Sequence, residues 1–171
     1  MIIMVYFEYF CLPRGQAPFS ICLYSLRTFR SMTIYLDTSA LIKNYIEELG
    51  SDSITKMMYE ADKIYVSYIT RIECISTFRR ILHEENITEE EYKRLKNELL
   101  YDFKYYTEIE NKKALDNCEN VIDKYQLKTL DSIQLSSAMY IKNEMDIFIC
   151  CDTKLNDASK SEGLSIYNPI E

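Results

Sequence analysis

From Thr33 onward, short apolar runs alternate with stretches in which apolar residues recur every three or four positions. Residues 33–36 read as a short strand, after which Asp37-Thr38-Ser39 caps a helix through about residue 46. A second helix is predicted over 53–61, and a β-branched and aromatic strand over 64–67. Ile69, Ile72, Ile75, Phe78, Ile81 and Leu82 fall at helical spacing, which predicts a helix of about four turns. Thr88 and Glu91 form a capping box that opens a long helix toward Phe103. Residues 105–109 read either as a third strand or as the end of that helix. Ala114, Leu115, Cys118, Val121 and Ile122 make one apolar stripe, so a helix is expected over 112–125, with another over 129–142. The unbroken apolar run 147–151 suits a strand covered on both faces. Asp152 then starts a short helix that stops at Gly163, and 164–167 is the last strand. Strands separated by helices predict an α/β fold, an α/β/α sandwich with a central, mostly parallel sheet of about five short strands.

Residues 1–31 do not share this pattern. Met1 to Leu12 is apolar and aromatic apart from Glu8, and Pro13-Arg14-Gly15 and Pro18 follow. The run is too short to span a bilayer and lacks the basic start of a secretory signal. Arg14, Arg27 and Arg30 against Glu8 give this segment a charge of +2, leaving −9 on residues 32–171. The expectation is an extension outside the core, either upstream of a natural start at Met32 or loosely attached. An amphipathic membrane contact is the weaker alternative. Residues 32–171 are expected to form the single folded domain.

Composition narrows the chemistry. Among 171 residues, 47% are apolar and only three each are Gly and Pro, which excludes disordered and collagen-like chains. The formal charge of −7 predicts weak non-specific binding to nucleic acid, unless metal ions invert the local potential. An acidic face also suits a basic protein partner. The six cysteines form no C-x-x-C pair and His83 is the only histidine, so a structural zinc site and His-dependent triads are both disfavoured. Cys74 and Cys150 sit in apolar runs as small core residues, which fits a reducing cytoplasm.

Four acids stand where a site would form. Asp37 and Asp152 each follow a strand, and carboxyl ends of parallel strands share one rim at which ligands bind. Asp131 lies in the first turn of its helix and Glu73 near the start of another; helices that follow strands begin at that same rim. Taken singly, Asp37 and Asp152 are explained as helix N-caps, and Asp131 and Glu73 as acids favoured by a helix dipole. Thr38 and Ser39 are candidate donors to a phosphate or to Asp37, or plain capping hydroxyls. Arg71, Arg79, Arg80 and the Lys93, Arg94 and Lys96 cluster are candidates for steering a polyanion, although the last group reads better as a solvated helix face. Tyr101, Tyr105 and Tyr106 are stacking candidates for which core packing is the simpler use. Asp157, five residues beyond Asp152, points about 140° away on an ideal helix and carries little weight.

The segment Ile34-Tyr35-Leu36-Asp37-Thr38-Ser39-Ala40-Leu41-Ile42-Lys43 resembles the opening of a PIN domain, specifically of the VapC-like toxins. Ser67-Tyr68-Ile69-Thr70-Arg71-Ile72-Glu73 resembles the second motif of that family. Leu127 to Ala138, containing Thr129-Leu130-Asp131-Ser132, is similar to the third, and Phe148-Ile149-Cys150-Cys151-Asp152-Thr153-Lys154-Leu155 to the fourth. The likeness runs over residues 32–171 in the right order. It implies a PIN-like fold and an endoribonuclease with Asp37, Glu73, Asp131 and Asp152 as catalytic and metal-binding acids. It also implies products with 5′-phosphate and 3′-hydroxyl ends, a small antitoxin partner and a homodimer, with no membrane association. One departure stands out. The family usually has Thr or Ser two positions before the fourth acid, and here that residue is Cys150.

Two carboxylates ~5 Å apart repel by about 3 kcal/mol at an effective dielectric near 20. Four cannot all stay ionised together without a cation or a proton. An all-oxygen donor set suits Mg²⁺ or Mn²⁺. Asp37, Asp131 and Asp152 are expected as direct or water-bridged ligands, with Glu73 sharing that duty or positioning water; Thr38, Ser39 and Arg71 are expected at the substrate. Two other readings remain open: a non-catalytic PIN-like domain that binds RNA or protein, and a metal-dependent phosphatase. The phosphatase pattern has Asp two positions after the first acid, where this chain has Ser39.

Overall fold

The structure, a computed structural model, describes residues 31–109 and 112–171. The expectations for the N-terminal extension therefore lie outside the described residues. The elements run β1 (Thr33–Leu36), α1 (Thr38–Leu41), a 3-10 turn (Ile42–Asn44), α2 (Ser51–Glu60), β2 (Lys63–Ser67), α3 (Thr70–His83), α4 (Glu89–Asp102), β3 (Thr107–Ile109), α5 (Lys112–Asp116), α6 (Cys118–Tyr125), α7 (Thr129–Tyr140), β4 (Ile147–Ile149), α8 (Thr153–Ser161) and β5 (Ile166–Tyr167).

The sheet has the order β3-β2-β1-β4-β5, and every described pairing is parallel. Leu36 is in register with Ile149 and Tyr35 with Phe148, so β1 and β4 end side by side. The chain builds from β1 outward to β3, then crosses back to lay β4 on the other side of β1. That reversal opens a crevice beyond the carboxyl ends of β1 and β4, where open α/β sheets bind ligands.

Alternation along the strands divides the core between the two faces of the sheet. Ile34, Leu36, Val66 and Ile149 pack with Ala40, Leu41, Ile54, Cys74, Phe78, Leu95 and Leu99, from α1 to α4. Tyr35, Tyr65 and Phe148 pack instead with Val121, Leu135, Ala138, Leu155 and Ala158, from α6 to α8. Three layers result, an α/β/α sandwich.

Local chemistry explains most boundaries. Thr88 and Glu91 make the reciprocal capping box at the start of α4. The third strand is real but short, Thr107–Ile109, and α4 stops before it. The helix expected over 112–125 is two helices, broken at Asn117, which precedes α6 in αR conformation without a side-chain cap. The apolar stripe continues across the break, which is why periodicity did not reveal it. No described helix is long and apolar enough to cross a membrane.

Candidate active site

Asp37 follows β1 directly, and its N–H extends the ladder to the Ile149 carbonyl at 3.0 Å. The residue is extended (φ −66°, ψ 156°), so its side chain turns back to cap α1. Its Oδ2 accepts the Ser39 N–H at 3.0 Å and the Ser39 hydroxyl at 2.5 Å. The Cys150 thiol lies 3.5 Å from the same oxygen. Burial pushes the Asp37 carboxyl above the usual range, and the Ser39 and Cys150 donors pull part of the way back.

Glu73 is carried one turn into α3, which begins after β2 on the same rim. Its Oε2 accepts the Thr38 hydroxyl at 2.5 Å and the Gln134 amide at 2.8 Å. Burial raises its pKa most, the Thr38 and Gln134 donors pull part of the way back, and the charges of Asp37 and Asp131 add smaller increases. Asp131, in the first turn of α7, is raised by burial first and then by Asp152 and Asp37, with Lys128 opposing. Asp152 caps α8, its Oδ1 accepting the Leu155 N–H at 2.7 Å. The charges of Asp37 and Asp131 reach Glu73, and those of Asp152 and Asp37 reach Asp131, so the four sequence-predicted acids are linked electrostatically at the carboxyl ends of the strands.

They are close enough to repel, but as placed they do not form a ready metal cage. Among the described residues, no group of three or more His, Cys, Asp or Glu side chains is set to hold an ion. Asp37 and Glu73 turn instead to hydroxyl, thiol and amide donors, as mutually repelling carboxylates do. The donor chemistry still fits a hard divalent cation: every candidate ligand is oxygen, and burial and mutual repulsion disfavour the charge that such an ion would neutralise.

The other candidates separate clearly. Thr38 and Ser39 are committed to Glu73 and Asp37, and Ser39 Oγ also accepts the Cys151 N–H at 3.0 Å. Arg71 is exposed and lines a groove of about 310 Å³ with Tyr68, Glu108 and Leu115. Arg79, Arg80 and Arg94 sit on exposed helix faces, paired with Glu89, Glu84 and Glu98. Tyr101 and Tyr105 contact each other at the surface, whereas Tyr106 packs with Tyr45. Asp157 is exposed on α8, away from the buried part of the site.

Sequence reasoning missed Gln134. This residue is 1% exposed, and its amide bonds Glu73, Thr38 and Thr70 on one side and Tyr35 on the other. A signal was present: Gln134 stands three residues after Asp131, on the same helix face. Cys150 also does more than fill the core, since its sulfur contacts Asp37 and accepts the Asp152 N–H at 3.2 Å.

The family model that matches the chain is the PIN domain, over residues 34–161. No curated protein matches it. Among solved structures, the fold is similar to a toxin-antitoxin complex from Klebsiella pneumoniae at 16% identity and a TM-score of 0.58, covering 81% of this chain and 98% of that one. FitAcB from Neisseria gonorrhoeae is similar at 12% identity and a TM-score of 0.59, covering 80% and 97%. VapBC2 from Rickettsia felis, bound to a DNA fragment from their promoter, is similar at 11% identity and a TM-score of 0.58, covering 80% and 98%. At such identities the likeness is one of fold.

Proposed function

The chain belongs to the PIN domain family, and from that membership we propose that it is a metal-dependent endoribonuclease, the toxin of a toxin-antitoxin pair. One observation carries the reading. Asp37, Glu73, Asp131 and Asp152 converge on the crevice beside β1, and three of them have raised pKa values, caused by burial and, for Glu73 and Asp131, by one another as well. Structural caps have no reason to gather at one crevice and repel.

Asp37, Asp131 and Asp152 would hold Mg²⁺ or Mn²⁺ directly or through water, and Glu73 would share that duty or orient the attacking water. Bound there, the ion supplies an activated water and polarises a phosphate oxygen. The chain's own part is orientation. Ser39 and Cys150 fix the Asp37 carboxylate, and Thr38 fixes that of Glu73. The groove of about 410 Å³ beside Glu73, walled by Tyr68, Ile69, Ile72 and Leu130 with Ser76 and Thr77, gives a strand of RNA somewhere to lie. Arg71 at the adjoining groove would meet its backbone. No covalent intermediate is needed, and the products would carry 5′-phosphates.

Two similar structures are toxin-antitoxin or VapBC complexes, which supports a small antitoxin as partner. A homodimer in the cytoplasm completes the proposal. That no three acids among the described residues are set to hold one ion is the one observation that favours a non-catalytic, RNA- or protein-binding relative. Labelled RNA distinguishes the two. Cleavage by the full chain should require Mg²⁺ or Mn²⁺, disappear in Asp131→Asn, and leave 5′-phosphate ends on sequencing. Intact RNA under those conditions means the non-catalytic reading is correct. A phosphomonoester should remain untouched.

A further inference from the structure

We infer that Gln134 is a positioning residue: its buried carboxamide sets how Glu73 presents its carboxylate to a divalent cation. The inference rests on the metal-dependent reading of the site.

A primary amide at 1% exposure is costly unless its polar atoms are bonded. Here one bond reaches Glu73 directly and a second reaches it through Thr38. Tyr35, fully buried on β1, places its hydroxyl 2.7 Å from Gln134 Oε1. Tyr35 is the donor in that contact and Oε1 the acceptor. This fixes the amide's sense: Oε1 faces Tyr35, and Nε2 faces Glu73 at 2.8 Å, Thr38 at 2.9 Å and Thr70 at 3.2 Å. A flipped amide would aim an oxygen at a carboxylate. Nε2 has two hydrogens for three acceptors, so the longest contact is shared. The Thr38 hydroxyl accepts from Nε2 and passes its own proton to Glu73.

Both donors to Glu73 land on Oε2. One oxygen of the pair is thereby fixed, and the other is committed to neither donor. Placement also matters. Asp131 and Gln134 are three apart on α7, and Tyr35 is two residues before Asp37 on β1. One amide thus ties the strand and helix that bear two acids to the helix that bears a third. An apolar side chain of equal volume would fill the space without aiming Glu73. Outer partners of metal ligands act in this way, and removing them typically costs about 10–100-fold in metal affinity.

The test is Mn²⁺ titration of the full chain, with free Mn²⁺ read by electron paramagnetic resonance and folding by thermal melting. Gln134→Met, which keeps the volume and removes the donors, should bind Mn²⁺ at least about tenfold more weakly. In a Glu73→Gln background the same change should alter affinity less than about twofold, because it acts through Glu73. Tyr35→Phe keeps the ring stacked on Phe148, removes only the hydroxyl that orients the amide, and should weaken binding by a smaller factor. Unchanged affinity in Gln134→Met, or an equal loss with and without Glu73, overturns the inference. If Gln134→Met does not fold, Tyr35→Phe decides, and unchanged affinity there overturns it. A wild-type chain that takes up no Mn²⁺ removes the metal reading and this inference together. Wild-type uptake with an indifferent Gln134 removes this inference alone.

Discussion

Asp37 and Glu73 form the inner half of the proposed site, whereas Asp131 and Asp152 form its rim, and the halves are built differently. The inner carboxylates take donors from the side chains of Ser39, Cys150, Thr38 and Gln134, at the junction of β1, α1, α3 and α7. At the rim, Asp152 is exposed and capping α8, and Asp131 is half-buried at the head of α7. The inner half is oriented in advance at a cost in desolvation; the rim is left able to adapt. Sites that need charge in a dry place concede stability there, and the concession should be measurable.

The sharpest way to separate the halves is to neutralise one acid from each. Asp37→Asn and Asp131→Asn should both reduce RNA cleavage by at least about a hundredfold, a loss of several kcal/mol of transition-state stabilisation. Their effects on stability should differ. Without added metal at neutral pH, Asp37→Asn removes a buried charge yet leaves a good N-cap, so melting should rise by about 2–4 °C, the effect of ~1 kcal/mol in a chain of this size. Asp131→Asn, less buried, should raise melting by less. Equal shifts would mean that the contrast between inner and rim acids is wrong.

Next comes the hydroxyl that joins Glu73 to Gln134. Thr38→Val leaves Glu73 and the Gln134 amide each short of a partner. Destabilisation by about 1–3 kcal/mol and roughly tenfold slower cleavage are expected. A wild-type melting curve with normal cleavage would show that the Thr38 hydroxyl is a bystander.

Titration tests the same comparison without substitution. Asp37, Glu73 and Asp131 are all raised, with burial as the first cause in each. The folded chain therefore holds these protons more tightly than the unfolded chain. Their contribution to stability is full below the ordinary carboxylate range and is lost as pH rises through the raised values. The metal-free melting temperature, followed from acid toward neutral pH, should carry this downward component, and Asp37→Asn should flatten it more than Asp131→Asn. Mn²⁺ at neutral pH should recover the loss by binding the folded state. A component that rises with pH and is indifferent to both substitutions would contradict the assignment.

Much of this arrangement is legible in the sequence, and the remainder is hidden for physical reasons. The strands Thr33–Leu36 and Ile147–Ile149 were visible as apolar runs followed by Asp, which also located half of the acids. The parallel sheet follows from strands alternating with helices. The break at Asn117 was invisible because both helices present one continuous stripe. Gln134 carried only its spacing from Asp131 as a signal, because a polar residue in α7 reads as solvent-facing, yet Ser132, Gln134, Ser136 and Ser137 are all buried. Which hydroxyl meets which acid depends on how α1, α3 and α7 cross, and local pattern carries no record of that.

The smallest effect concerns Cys150, where a hydroxyl residue is usual in the family. The thiol is buried in the core layer of α7 and α8, and lies 3.5 Å from Asp37 while accepting the Asp152 N–H. It thus touches one acid from each half and is their only side-chain bridge among the hydrogen bonds described. Sulfur is a weak donor, so it holds Asp37 less firmly than oxygen would. Cys150→Ser should strengthen that hold and speed cleavage by about two- to fivefold, under ~1 kcal/mol. The same change puts a hydroxyl among apolar neighbours and should lower melting slightly. Cys150→Ala removes the donor entirely, and cleavage should fall below wild type. Activity in the order Ser, Cys, Ala therefore marks the bridge as an orienting contact. If Ser and Ala behave alike, Cys150 is packing alone, and the two halves of the site are joined only through charge.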